Sequence, residues 1–342
     1  MPWEAWRPFL ASLDMQRLTG IALAAVESGA LVLDEGQRED LIAHHGEAMV
    51  WALVVERKLL SLGDRLADAG IEVVALKGPT MAHTVYPDPS WRPFGDLDLL
   101  VRTSDWRRAM GLLKSLGFGR SFPEPRVGFD ERFGKAAVHT NGDGIEIDLH
   151  RTLAMGAFGE WIRPEDLFSR TATFRLGSRT IRRLDDTALL LHACVHATLG
   201  WNPPLVWPLR DVLQIAHRGR VAWEEAAELA GRWRMRAVFH YALTTASQTL
   251  AVDLPVDARR VLDRDQPTRR EVAAMRAYLR PGGADPMRAL RAIRGIRARV
   301  AYAWMLLFPS REFLAARQGT ERGSYVRRWS VPVRRLLRKR AD

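Results

Sequence analysis

Apolar residues recur every three or four positions over residues 3–14, 20–28 and 38–69, the period of amphipathic helices. The period changes at Ile71. Residues 71–76 form a short apolar run, and Leu97, Leu99 and Val101 then alternate with polar neighbours, the period of a half-buried strand. Two more extended runs, 135–140 and 144–150, flank an Asn-Gly-Asp-Gly sequence whose residues accept positive φ, a strong hairpin signal. For a four-residue turn, Ala137 is expected opposite Asp148 and His139 opposite Glu146. Residues 173–184 read as a smaller hairpin around Gly-Ser. Helical spacing then returns, with Asp185 or Asp186 capping a helix to Leu199 and further helices over 205–217, 223–233 and 236–252. Helices, then strands, then helices predict an α+β chain. The units expected are a helical segment (1–70), a sheet core (71–184), a helical domain (185–284) and a C-terminal tail (285–342).

Chemistry enters where the alternation places acids. Asp96 and Asp98 are two apart on one strand, so they project from the same face while Leu97 and Leu99 turn into a core. Two carboxylates so placed repel one another and raise the pKa of at least one unless a cation lies between them. Hard oxygen ligands on a rigid strand suit Mg²⁺, which completes its shell with water and substrate phosphate. Ahead of this strand stand Lys77 and Gly78, in a turn that opens a short helix over 79–86. Glycine admits close approach of a ligand to the backbone, a helix start favours anions, and Lys77 adds a full charge. A phosphate cradle and a metal-ligand pair are therefore expected within one strand-turn-helix-loop-strand unit.

The run LKGPTMAHTVYPDPSWRPFGDLDLLV followed by IEIDLHRTL resembles a bacterial nucleotidyltransferase-like family within the DNA polymerase β superfamily. The likeness covers most of residues 71–153, with a looser one to about residue 255. It implies a nucleotidyltransferase-fold mixed sheet core with N-terminal helices and a C-terminal helical domain. It also implies three carboxylates, two Mg²⁺ ions with Mn²⁺ as the alternative, and transfer of a nucleoside monophosphate from an NTP, ATP among them, to an acceptor hydroxyl. One departure stands out. Gly78 lies 18 residues before Asp96, further than the superfamily's usual turn, so the loop 87–94 must fold over or beside the site. That loop delivers Arg92, which either binds phosphate as a bidentate fork or pairs at the surface with Asp88.

On the strand 144–150, Glu146, Asp148 and His150 share one face, so Asp148 can join Asp96 and Asp98 if the strands are neighbours. Asp148 is then the carboxylate expected to serve the nucleophile. His150 is read as contacting phosphate or orienting a ligand, or as an ordinary hydrogen-bonding residue. Lys77, Gly78 and Arg92 complete the expected phosphate-binding set, with Asp96, Asp98 and Asp148 as metal ligands and catalytic acids. A non-catalytic nucleotide-binding or antitoxin-like regulatory module and a membrane-surface accessory protein are the alternatives, though the intact acid triplet favours an enzyme.

Composition narrows the setting. With 342 residues and 47% hydrophobic content the chain can bury a large core, and its single cysteine, Cys194, fits a reducing cytoplasm. The N-terminus carries no basic leader followed by an apolar run, and no stretch approaches the roughly 20 apolar residues of a membrane span. Residues 285–342 hold 15 Lys and Arg against 4 Asp and Glu, a net +11 that equals the whole chain's excess. Within them Leu290, Ile293, Ile296, Val300, Trp304 and Leu307 recur at helical spacing, so a basic amphipathic helix is expected over 286–308. Its apolar stripe either packs on the protein or meets an anionic membrane or acidic partner, the last segment from about Tyr325 being the freest; nucleic acid is the lesser reading. His192 and His196 have zinc-ligand spacing but lack further ligands, and read as packing residues. Arg210 and His217 match a short Arg-spacer-His ribonuclease signature that arises often by chance, and Asp211 reads as a partner of Arg210 or a cap.

Overall fold

A computed structural model describes residues 1–280 and 285–325. Three helices precede the sheet: α1 (Trp3–Met15), α2 (Thr19–Glu27) and α3 (Glu35–Asp68). The last begins three residues before the periodicity does, because Asp34 and Gln37 close a reciprocal capping box at its start.

Seven strands follow: β1 (Val73–Ala75), β2 (Asp96–Val101), β3 (Gly119–Arg120), β4 (Ala136–Thr140), β5 (Glu146–His150), β6 (Thr171–Leu176) and β7 (Arg179–Leu184). They form one mixed sheet in the order β3-β4-β5-β2-β1-β7-β6. The central β2–β5 pair is parallel, as is the short β1–β7 contact, and the other pairs are antiparallel. Between strands lie α4 (Pro79–Thr84), α5 (Trp106–Ser115), α6 (Phe129–Phe133), α7 (Gly156–Trp161) and α8 (Pro164–Phe168). The expected hairpins are present. The first has a different register: Val138, not Ala137, faces Asp148, and Thr140, not His139, faces Glu146. The turn has three residues rather than four, because Asn141 accepts the Ile145 N–H through its side chain and Gly144 takes φ 76°.

The two faces of the sheet bury different partners. Leu97, Leu99, Val101, Ile147 and Leu149 pack against Val55, Leu59, Leu62 and Leu66 of α3 and against Trp106 and Leu113 of α5. The opposite face carries the acids at one end and Val74, Leu76, Leu100 and Leu184 at the other. Those four belong to a cluster that continues into the helical layer α9 (Asp186–Leu199), α10 (Val206–Arg218), α11 (Trp223–Arg232), α12 (Arg236–Leu250), α13 (Val256–Arg264) and α14 (Arg269–Tyr278). Asp185 caps α9 by accepting the Ala188 N–H, as its position predicts.

The tail departs from expectation. Instead of one helix over 286–308 there are α15 (Pro286–Ala292) and α16 (Ile296–Leu307), broken where Gly295 takes φ 84°, and then α17 (Arg311–Gln318). The expected stripe splits at the break. Ile293 is buried with Ala289 and Tyr302 against Phe133, whereas Ile296, Val300, Trp304 and Leu307 are exposed. The segment expected to be freest lies, beyond Tyr325, outside the described residues.

Candidate active site

Parallel pairing of β2 with β5 puts Asp96 beside Glu146 and Asp98 beside Asp148. Four carboxyl groups from two strands therefore share one face. Asp98 is buried, with Lys77 Nζ 2.9 Å and His150 Nε2 2.8 Å from the same oxygen, Oδ1. Burial opposes its ionisation, but Lys77 and His150 outweigh that and hold the carboxyl well below the usual range. Asp148 behaves oppositely. Burial pushes it up and the Asp98 charge adds to this, against the pull of His150, Lys135 and Lys77. Its Oδ1 is buried with no hydrogen-bond partner. Glu146 is also pushed up, by burial and then by Asp148.

His150 is completely buried, and both of its ring nitrogens face oxygen: Nδ1 lies 3.2 Å from the Thr152 carbonyl and Nε2 faces Asp98. A neutral imidazole donates through only one nitrogen. A proton or a metal cation between Nε2 and Asp98 satisfies the other. Ligand atoms of Asp98, Asp148 and His150 lie within 4.8 Å of one another, and Asp96 stands outside this closest group although on the same face. Two carboxylates, an imidazole and an orphaned carboxylate oxygen fit a divalent cation.

Gly78 takes φ 58°, and a Cβ there would stand 3.3 Å from the Asp96 carbonyl. Glycine thus brings the turn against the acid strand. The expected backbone cradle is thinner than its sequence promised, since Pro79 has no N–H and the Thr80 N–H is bonded to the Lys77 carbonyl. Lys77 supplies the charge at this end. A second lysine, Lys135, comes from the residue before β4. Burial lowers its pKa, with Lys77 adding to this and Asp98, Asp148 and Asp96 opposing. Its local spacing does not mark it, yet the chain has only five lysines among 51 basic residues, and two of them meet at these acids.

Arg92 is neither at the surface nor paired with Asp88, which caps the 3₁₀ turn Pro89–Trp91 through the Ser90 N–H. It is 2% exposed and turns its fork on Asp211 of α10, Nε donating to Oδ1 at 3.0 Å and Nη2 to Oδ2 at 2.8 Å. Tyr86 donates to Asp211 Oδ1 at 2.6 Å, and Arg210 Nε donates to the Tyr86 hydroxyl at 3.0 Å. Asp211 is therefore the partner of Arg92 rather than of Arg210. Only Nη1 of Arg92 is without a partner. His217 is engaged separately, with the Asp253 carbonyl. His192 is buried in α9 and His196 partly so, and His196 packs on Trp207 with centroids 5.0 Å apart.

Asp148 and Lys135 also face a cleft of about 1010 Å³. Its floor is β4, and its walls include Phe129 and Phe133 of α6, Tyr278 of α14, and Tyr302 and Leu306 of α16. The C-terminal helices thus help to enclose the site.

This mixed sheet with its convergent acids is that of a nucleotidyltransferase. The chain belongs to the family described as "Uncharacterised nucleotidyltransferase", whose model matches residues 3–251. No curated protein matches the sequence. Among solved structures, the chain is similar to a lincosamide antibiotic adenylyltransferase with lincomycin bound, at 12% identity and TM-score 0.30, over 40% of this chain and 83% of that one. It is also similar to an antigenic nucleotidyltransferase-like protein from Paracoccidioides brasiliensis, at 16% identity and TM-score 0.36, over 64% and 94% of the two chains.

Proposed function

We propose that the protein transfers a nucleoside monophosphate from an NTP to a hydroxyl of a small-molecule, sugar or peptide acceptor, in the cytoplasm, with Mg²⁺ or Mn²⁺. The observation that carries this reading is the pairing of Asp98 with Asp148 on adjacent parallel strands, with Asp96 on the same face. Asp98 and Asp148 would hold the cation, with His150 or Asp96 completing the protein's share. Bound there, a divalent cation neutralises phosphate charge and acidifies the acceptor hydroxyl.

The chain's own groups divide the remaining work. Lys77 binds the triphosphate, where its charge meets phosphate oxygens before and during transfer. Arg92 places its loop by its bond to Asp211 and keeps Nη1 for a phosphate oxygen. Asp148, its carboxyl pushed up from its ordinary value by burial, is poised to accept the hydroxyl proton as the oxygen attacks the α-phosphorus and pyrophosphate leaves. Lys135 faces the same reacting centre from the cleft, where its ammonium offsets the developing charge. The acceptor occupies the aromatic cleft, so its hydroxyl arrives beside Asp148.

Thermal unfolding with each of the four NTPs and Mg²⁺ or Mn²⁺ tests the nucleotide half, because a ligand of the native state raises the transition. One NTP is expected to stabilise selectively, and only with the cation. Lys77→Ala should weaken that effect, while Asp148→Asn, which removes a cation ligand as well as the base, should lower turnover more steeply than it weakens the effect. No shift with any NTP and either cation would overturn the reading.

A further inference from the structure

Helix α16 has two faces of different fate. On one, Tyr302 is buried and Ala298, Ala301, Met305 and Leu306 pack around Phe129, Phe133 and Ile293. On the other, Ile296, Val300, Trp304 and Leu307 follow one another at intervals of four, four and three residues and are 72%, 61%, 54% and 45% exposed. At 3.6 residues per turn they form one row. Phe308 extends it, its ring 4.4 Å from that of Trp304. A contiguous apolar row on the surface of a folded chain marks an interaction site.

The charge around the row selects the partner. Residues 286–311 contain six arginines and no acid. Arg291, Arg294 and Arg297 are exposed, the last two beside the row. Two copies packed row to row would bring these arginines together, so like charge disfavours self-association. An acidic surface is favoured instead, and the row ends in Trp304 and Phe308, with the Arg126 guanidinium 5.8 Å from the Trp304 ring centroid. This combination is that of a helix lying in a membrane interface, apolar face in the acyl boundary and arginines at the phosphates.

We infer that α16 docks this protein on anionic phospholipid, with Ile296, Val300, Trp304 and Leu307 immersed and Arg294 and Arg297 on the headgroups. Among the described residues no single helix is long and apolar enough to cross a membrane; the inferred contact is made by one face of a 12-residue helix. It is independent of the transfer chemistry, but it adjoins it. The inner face of the same helix, through Tyr302 and Leu306, forms a wall of the acceptor cleft.

The test uses the full chain and vesicles of phosphatidylcholine alone or mixed with phosphatidylglycerol, in co-sedimentation at low and high salt. The protein should bind only the anionic vesicles and lose binding at high salt, where screening shortens the reach of charge from about 10 Å to about 3 Å. The Val300→Ser, Trp304→Ser double variant keeps every arginine and should bind at least about tenfold more weakly. Arg294→Gln with Arg297→Gln should weaken binding severalfold and flatten its salt dependence. All four positions are exposed, so an unchanged unfolding temperature confirms that the variants fold. Three outcomes would overturn the inference: no preference of the wild type for anionic vesicles, full binding by the Val300/Trp304 variant, or a solution dimer that this variant dissociates without any vesicle binding.

Discussion

Two clusters of buried charge, one around Asp211 and one around Asp148, are built to opposite ends. Around Asp211 the acid is satisfied, with both oxygens bonded to Arg92 and a further donor from Tyr86. Burial opposes the ionisation of Asp211, but Arg92 outweighs it and keeps the pKa below the ordinary value. This cluster ties the loop before β2 to α10. Around Asp148 the acids outnumber their partners: Oδ1 has none, Asp98 shares one oxygen between Lys77 and His150, and Glu146 is pushed up. A buried acid with both oxygens bonded is structural, although Arg92 Nη1 and both Nη atoms of Arg210 beside it have no partner. One left short has room for something not part of the chain, which on the proposed reading is a cation and a phosphate.

The largest test of that contrast is on activity. Asp98→Asn and Asp148→Asn should each lower nucleotidyl transfer by on the order of 10³ or more, while circular dichroism shows an intact fold. Transfer at the wild-type rate in both variants would place the chemistry elsewhere.

The second test is on stability. Asp211→Ala leaves Arg92 buried without its counter-charge and should cost about 3–5 kcal/mol, lowering the unfolding temperature by roughly 4–7 °C. Replacing both members, Arg92→Met with Asp211→Leu, should recover much of the loss; a double variant as unstable as the single one would deny that the pair is the cause. Because the Asp211 pKa is depressed on folding, the pair's contribution is complete above the unfolded value of about 3.9 and disappears as pH falls through the lower folded one. The stability gap between wild type and Asp211→Ala should therefore close in acid.

Lys135→Ala separates the clusters more finely. It should lower turnover by about 10- to 100-fold with little change in NTP affinity, since its charge faces the cleft. Equal losses in both would place it in the phosphate-binding set.

The smallest effect has the opposite sign from that at Asp211. The Asp148 pKa is raised on folding, so its contribution to stability is present below the unfolded pKa and lost as pH rises through the folded one. Without a cation, Asp148→Asn should therefore unfold at a temperature equal to or above that of the wild type at neutral pH, and the advantage should vanish in acid. A destabilised variant would mean that Asp148 is as well satisfied as Asp211.

Much of the site was legible in the chain because its logic is local. Alternation along a strand already sets Asp96 with Asp98 and Glu146 with Asp148, and turn chemistry marks Gly78 and Gly144. The acids, the two hairpins, the helices over 186–250 and the packing role of His192 and His196 followed from such short-range rules. The family likeness added the reaction class, which periodicity alone does not contain.

Other features depended on contacts between distant residues. Arg92 and Asp211 are 119 positions apart, and no spacing rule pairs them against Asp88 or Arg210, which are nearer in sequence. Lys135 gains its meaning only when β4, β5 and β2 lie side by side. The one-residue shift in the first hairpin came from the Asn141 side chain taking a backbone donor, a competition among nearly equal turns. In the tail, periodicity registered an apolar face but not which part of it would be covered. Gly295 rotates α16 away from α15, so Ile293 goes into the core while Ile296, Val300 and Trp304 remain in water. Local sequence determines which residues can share a surface, because backbone geometry repeats over a few residues; what each surface meets is decided by the packing of whole elements, where distant partners compete and the best-satisfied arrangement wins.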